Sequence, residues 1–237
     1  MIIKEYRMNN DIDIHFPEYD CIVKNRQYKD FKEGTVKCPY EKRYYNKGYL
    51  GEGKYKILEN GKLTKCYKTW NHMLERCFDE KLQIKRPTYK GCKVCAEWLN
   101  FQVFAEWFYN NYYEVGNEKM CIDKDILVKG NKIYSPETCV FVPHNINVLF
   151  VKNNKNRGDL PIGVSKDKNK FRVRLNKCCT GKKEYVYLGA FYDEIEAFNV
   201  YKMAKEQYIK EVADYYKDKI PQRLYDAMYN YEVEITD

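Results

Sequence analysis

The stretch Cys121–Asn147, "CIDKDILVKGNKIYSPETCVFVPHNIN", decides how the middle of this chain is read. Asp123, Lys124 and Asp125 stand side by side, Gly130 and Asn131 follow, and His144, Asn145 and Asn147 close it. Apolar and β-branched residues on both sides of the Gly-Asn pair predict a β-hairpin that runs into a helix. Alternate residues of an extended chain share a face, so Asp123 and Asp125 can converge on one cation with Lys124 turned away. Oxygen donors of that kind suit magnesium or manganese. The plainer reading of the same residues is a charged hairpin edge.

Outward from this stretch, the 237 residues suffice for one large domain or two to three small ones. No apolar run is long enough for a transmembrane helix, and "MIIKEYRMNNDIDIHF" lacks the apolar core of a signal peptide. The expected location is therefore the cytoplasm. Most of the 10 cysteines stand apart from one another, as thiols do in a reducing compartment. Cys92 and Cys95 form a lone C-x-x-C pair. A structural zinc there would need two further ligands from the singly placed Cys77, Cys121 and Cys139, so buried thiols are the default.

The net charge of +8 is unevenly placed: residues 151–190 hold 11 Lys and Arg against 3 Asp and Glu, an excess equal to that of the whole chain. Positive charge concentrated beside aromatic residues points to a polyanion, most simply nucleic acid, against the alternative of a solvated lysine face.

Residues 1–62 read as a β-rich module, with "DIDIHF" alternating, "PEYD" turning and "CIVKN" pairing back. In "KTWNHMLERCF", Trp70, Met73, Leu74 and Cys77 fall on one helical face. Trp98, Phe101, Phe104, Ala105 and Phe108 repeat at helical spacing in a second helix. "VKNNKNRGD" has the composition of a linker. Beyond it, "IGVSKD", "KFRVRLN" and "EYVYLGAF" predict three short strands. Arg172 and Arg174 share one face of the middle strand, and Phe171, Val173 and Leu175 share the other. Asp193 and Glu196 are spaced as a capping box, opening a helix whose stripe of Ala197, Tyr201, Ala204 and Tyr208 can cover the sheet.

These segments carry two resemblances. From Trp70 to Phe150, through "WNHMLERC", "PTYKGCKVCAEW" and "IDKDILVKGNKIYSPETCVFVPHNIN", the chain resembles HNH-type endonucleases of phages and mobile elements. From Ile162 to about Tyr215, "IGVS…KFRVRL…YLGAFYDEIEAFNVY" is similar to the APETALA2-type DNA-binding domain, which also occurs attached to phage homing endonucleases. Together they imply an α+β chain: an N-terminal module (1–62), an HNH-like ββα-metal domain with flanking helices (63–152), and a three-stranded sheet plus helix (158–237). The expected function is metal-dependent hydrolysis of double-stranded DNA by a phage-encoded, homing-type endonuclease, acting in the cytoplasm or nucleoid of the host.

The HNH resemblance implies a Mg2+ or Mn2+ ion on a DNA phosphate, with Asp123 as first ligand and a helix ligand within His144, Asn145 and Asn147. Asn131, a candidate catalytic residue, sits in the Gly-Asn turn, and Glu137 and Thr138 lie where an orienting asparagine is expected. The general base of the family is a histidine, and Lys124 stands in its place; Asp125 or His144 are the alternatives. A lysine with an ordinary pKa of about 10.4 is protonated at neutral pH and takes no proton from water unless desolvated. The competing reading is a catalytically inactive, HNH-derived DNA-binding, regulatory or anti-defence protein, and a third is a phage protein that binds a host protein through its tyrosines. The APETALA2 resemblance implies DNA contacts from Lys166, Lys168, Lys170, Arg172 and Arg174, with Lys182 and Lys183 on phosphates.

Overall fold

The computed structural model describes residues 1–151, 160–178, 184–235 and 237. The chain is α+β, with helices and several small sheets. It divides into two compact units, Met1–Asn111 with Lys132–Pro136, and Tyr112–Asn131 with Glu137–Asp237. The sequence-based boundaries near residues 62 and 155 therefore differ from where the chain partitions. Most of the expected linker falls outside the described residues.

The first unit opens with an antiparallel meander of β1 (Ile2–Met8), β2 (Asp11–Phe16) and β3 (Cys21–Arg26). The Asp-Ile-Asp-Ile alternation buries Ile12 and Ile14 with Cys21 and Val23. Asp13 is buried too, because Arg7 grips it (Nη2 to Oδ1, 2.6 Å) and the Asn25 N–H donates to the same oxygen. A short helix follows, α1 (Tyr28–Lys32), within the stretch read from the sequence as β-rich.

A two-stranded ribbon, β4 (Leu58–Glu59) and β5 (Lys62–Leu63), turns at Asn60 and Gly61, both with positive φ. That geometry suits the Asn-Gly pair and the twist of a tight hairpin. Thr64 then caps α2 (Lys65–Phe78), its side chain accepting from the Tyr67 N–H. The expected apolar face of Trp70, Met73, Leu74 and Cys77 is buried. After α3 (Glu80–Lys85) and the short strand β6 (Lys93–Val94), α4 (Phe101–Asn111) buries Phe101, Phe104, Ala105 and Phe108. Trp98, expected in the same helix, sits in a 3-10 turn before it. Its carbonyl accepts from Trp70 Nε1 at 2.7 Å, and Asn100 interrupts the helix by capping the Gln102 N–H.

In the second unit β7 (Met120–Asp123) ends at the first charged residue of the decisive stretch. The next strand, β8 (Ile133–Tyr134), belongs to the first unit and pairs in parallel with β6. The antiparallel partner of β7 is β9 (Val140–Pro143), from Met120 opposite Pro143 to Asp123 opposite Val140. Helix α5 (His144–Leu149) follows at once. The predicted hairpin about Gly130-Asn131 thus does not form; residues 124–139 make a long connection between the paired strands, interrupted only by β8. The cause is local. Asp123 Oδ1 accepts the N–H groups of Asp125 and Ile126 (2.9 and 2.7 Å), which turns the chain out of the strand before a tight hairpin can start.

The remaining elements are β10 (Val164–Asp167), β11 (Lys170–Lys177) and β12 (Glu184–Phe191), an antiparallel sheet in that order, followed by α6 (Glu194–Tyr216) and α7 (Gln222–Tyr229). Asp193 caps α6 through the Glu196 N–H at 2.7 Å. Gly163, at φ +76°, lies so close to Tyr201 that a Cβ there would strike the ring. Val164, Val173 and Leu175 meet Ala197, Tyr201, Tyr208 and Ile209 of α6 in a core that also takes Ile126, Val140, Val142, Ile146 and Leu149. The β7–β9–α5 element and the sheet-plus-helix are built on one core.

Candidate metal and nucleic-acid sites

Asp123 is half-buried at the end of β7, and its carboxylate does two things. Oδ1 holds the loop through the two N–H groups above, whereas Oδ2 has no hydrogen bond among the described residues. Burial, and next the nearby Asp125 charge, push its pKa above the ordinary carboxylate range against the pull of those N–H groups. An acidic oxygen that is disfavoured as a bare anion and has a free lone pair fits a hard divalent cation. Among the described residues, no group of three or more His, Cys, Asp and Glu side chains could hold a metal ion. A cation on Asp123 would need amide oxygens, water or a phosphate for the rest of its shell, a composition magnesium accepts.

Lys124 is buried, 7% exposed, and its Nζ lies 3.1 Å from Asp125 Oδ1, whose own side chain is half exposed. The Asn131 side chain donates to the Lys124 carbonyl at 2.6 Å, so the asparagine of the Gly-Asn pair fixes the backbone next to Asp123. Asp123, Lys124, Asp125 and Asn131 are therefore brought together in one loop.

His144 is not part of this group. It is exposed at the start of α5, its N–H donates to the Lys119 carbonyl, and its ring Nδ1 is 4.0 Å from Cys121 Sγ. Its neighbour Pro143 pairs with Met120, three residues from Asp123 along β7, which is about 10 Å. Asn145 and Asn147 are both half-buried on α5. Two residues of helix turn through about 200°, so they face nearly opposite ways and cannot both serve Asp123. Cys92 and Cys95 flank the extended β6, and residues three apart on a strand point to opposite faces, so the C-x-x-C spacing is not a chelating turn here.

On the sheet, the register sorts the cations. Lys166 stands opposite Phe171, on the side that packs against α6, so it does not share the face of Arg172 and Arg174 as expected. Lys168 occupies the β10–β11 turn with φ +54°. Lys170 lies over the Tyr192 ring at 4.7 Å, and Arg172 pairs with Asp167 across the turn. Arg174 is exposed, opposite Tyr187, with no ion pair among the described residues. Lys182 and Lys183 lie outside the described residues.

Sequence reasoning missed two participants on this face, Tyr185 and Tyr187, 72% and 60% exposed opposite Asn176 and Arg174. The signal was present in "EYVYL", where alternation puts both tyrosines on the side away from Val186. What keeps them in line is a bulge. Gly189 pairs with Val173 and Tyr187 with Arg174, so Leu188 is the extra residue, next to Gly189 at φ +130°.

The face so formed offers a guanidinium without an ion pair among the described residues beside two exposed phenol rings, groups that can contact phosphate, base edges and base faces. Comparison with family models, curated proteins and solved structures gives no match to this chain.

Proposed function

We propose that this chain is a metal-dependent endonuclease of double-stranded DNA, of the phage-encoded homing type that the sequence resembles. The observation that carries the reading is Asp123: a half-buried carboxylate at a strand end, one oxygen locked by two backbone N–H groups and the other open. Asp123 would hold a magnesium or manganese ion through Oδ2, with one amide of α5, Asn145 or Asn147, as the further protein donor. When bound, such an ion stabilises charge on a scissile phosphate and on the departing oxygen. Asn131 keeps the backbone of Lys124 in place. The buried Lys124 ammonium pairs with Asp125, whose side chain is half exposed and is the group placed to take a proton from the attacking water. Arg174, Tyr187 and Tyr185 supply the DNA-facing surface. The test is incubation of supercoiled plasmid with magnesium or manganese and with chelator. Nicked or linear product only with metal supports the reading, and intact plasmid under all conditions overturns it.

A second reading has its own observation. At the position where the resembled family carries a histidine base, Lys124 is buried in an ion pair with Asp125. A chain that binds DNA through the sheet with no catalysis fits that arrangement. It predicts a salt-dependent gel shift with no metal-dependent cleavage.

A further inference from the structure

Beyond α7 the chain turns back along its own domain. Val233 is buried, its N–H donates to Glu206 Oε1 at 2.8 Å, and its carbonyl accepts from Lys202 Nζ at 2.9 Å. Lys202 and Glu206, both on α6, also pair with each other at 2.7 Å. The next contacts reach in another direction. Lys129, in the loop between Asp125 and Asn131, donates to the Glu232 carbonyl and to Asp237 Oδ2, both at 2.8 Å, and lies 3.4 Å from Glu234 Oε1. Its ammonium is also 4.9 Å from the centre of the Tyr231 ring.

Asp237 is 4% exposed and accepts two more hydrogen bonds, from the Tyr231 hydroxyl at 3.2 Å and the Glu234 N–H at 3.0 Å. The Tyr231 ring packs edge-on against Phe150 at the end of α5. A lysine ammonium has three N–H donors, and the Glu232 carbonyl and Asp237 Oδ2 take two of them, with Glu234 as a further ion-pair partner. Ordering a long side chain costs rotamer entropy, so a lysine tied to three oxygens and a ring is an anchor rather than a passing surface pair. The Tyr231 hydroxyl is held above its usual pKa by burial and then by the charges of Asp237 and Glu234, with Asp125 contributing as well. The segment therefore lies within electrostatic reach of the site loop.

We propose that residues 231–235 together with Asp237 form a strut that ties the loop carrying Asp125 and Asn131 to α6, with Lys129 and Asp237 as positioning residues for the candidate site. Calling that loop a site rests on the endonuclease reading; the strut itself does not. Helix α6 is the element that backs the DNA-facing sheet, so the strut connects the recognition element to the loop that presents Asp125.

The test is amide hydrogen exchange on the full chain, with plasmid nicking measured alongside. In Lys129→Met, exchange at the Asp125 and Ile126 amides, the two held by Asp123, should rise about tenfold or more while β11 keeps its protection. Lys129→Arg should restore it. Nicking by Lys129→Met should slow in turnover while DNA affinity stays unchanged. Unaltered exchange at the two amides, or a rise spread equally over β11, overturns the strut. Raised exchange with undiminished turnover overturns the positioning role. If the wild-type chain does not nick DNA at all, the endonuclease reading falls and the exchange result alone decides the strut.

Discussion

Replacing Asp123 by Asn and by Ala separates its two roles. The Ala variant leaves the Asp125 and Ile126 N–H groups without their acceptor. Each hydrogen bond to a charged group contributes about 1.5–3 kcal/mol, and relief of the carboxylate's own burial offsets part of that, so a net loss of about 2 kcal/mol is expected. The Asn variant keeps an oxygen at Oδ1 and sheds the buried charge, so in the absence of metal it should be at least as stable as wild type near neutral pH. The pH dependence follows from the raised pKa. The native state binds this proton more tightly than the unfolded chain, whose carboxyl titrates at about 3.9. The stabilisation is therefore full below that value and lost as pH rises through the folded pKa, so Asn gains on wild type over that window.

Magnesium should reverse the order. At a concentration 100-fold above its dissociation constant, a ligand of the native state stabilises by about 2.7 kcal/mol, which wild type would gain and Asn would not. The assay is denaturation with and without magnesium, read by amide exchange in β9. Trp70, Trp98 and Trp107 all lie in the first unit, so their emission would follow that unit instead. An Asn variant as unstable as Ala would refute the capping role. Equal stabilisation of Asn and wild type by magnesium would remove Asp123 as a ligand.

Lys124→Ala strands Asp125 beside a buried gap and should lower turnover and stability together. Lys124→Arg should keep much of the activity if the charge alone matters; equal loss in both variants, measured by plasmid nicking, would instead make the ammonium a proton carrier. Arg174→Ala should weaken DNA binding more than Arg172→Ala, because Arg172 is already paired with Asp167. Tyr187→Ala should cost about 1–3 kcal/mol if a base stacks on it; a gel shift unchanged by both Arg174→Ala and Tyr187→Ala would exclude this face. A fragment of residues 158–237 should be molten, with weak near-ultraviolet dichroism, because Val140, Val142, Ile146 and Leu149 of its core are missing; a cooperative melt would contradict the shared core.

Much of this was legible where one periodicity dominates. "DIDIHF", "TWNHMLERCF" and "FRVRL" bury Ile12 and Ile14, Trp70, Met73, Leu74 and Cys77, and Val173 and Leu175, as their spacing selects. The hairpin at Gly130-Asn131 failed because a side chain competed: Asp123 captured two N–H groups that the strand needed. Trp98 kept its place in the core but not in the helix, because Asn100 supplies a cap between it and Phe101. Lys166, grouped with Arg172 and Arg174 as a DNA contact, stands on the other face of the sheet, since alternation along one strand does not say which residue of the neighbour it will oppose. The grouping of Asp123, Lys124, Asp125 and Asn131 is short-range and was visible. The anchoring of Lys129 by Asp237 joins residues 108 apart, and nothing in either local sequence announces it.

The shared core changes what a two-part description of this chain means. A recognition module tethered by a flexible linker would let the site wander over many base pairs, and its reach would depend on linker length. Here Ile126 leaves the site loop to bury itself among the residues that also hold Val173 and Leu175 of the sheet and Ile209 of α6. Its N–H is bound by Asp123 while its side chain is bound by that core, so the backbone on which Asp125 and Asn131 sit is fixed from both sides. Close-packed interiors shift between discrete arrangements instead of bending smoothly. The loop and the sheet are consequently held by one packed core, and the geometry between the candidate recognition surface and the candidate site is set by that packing.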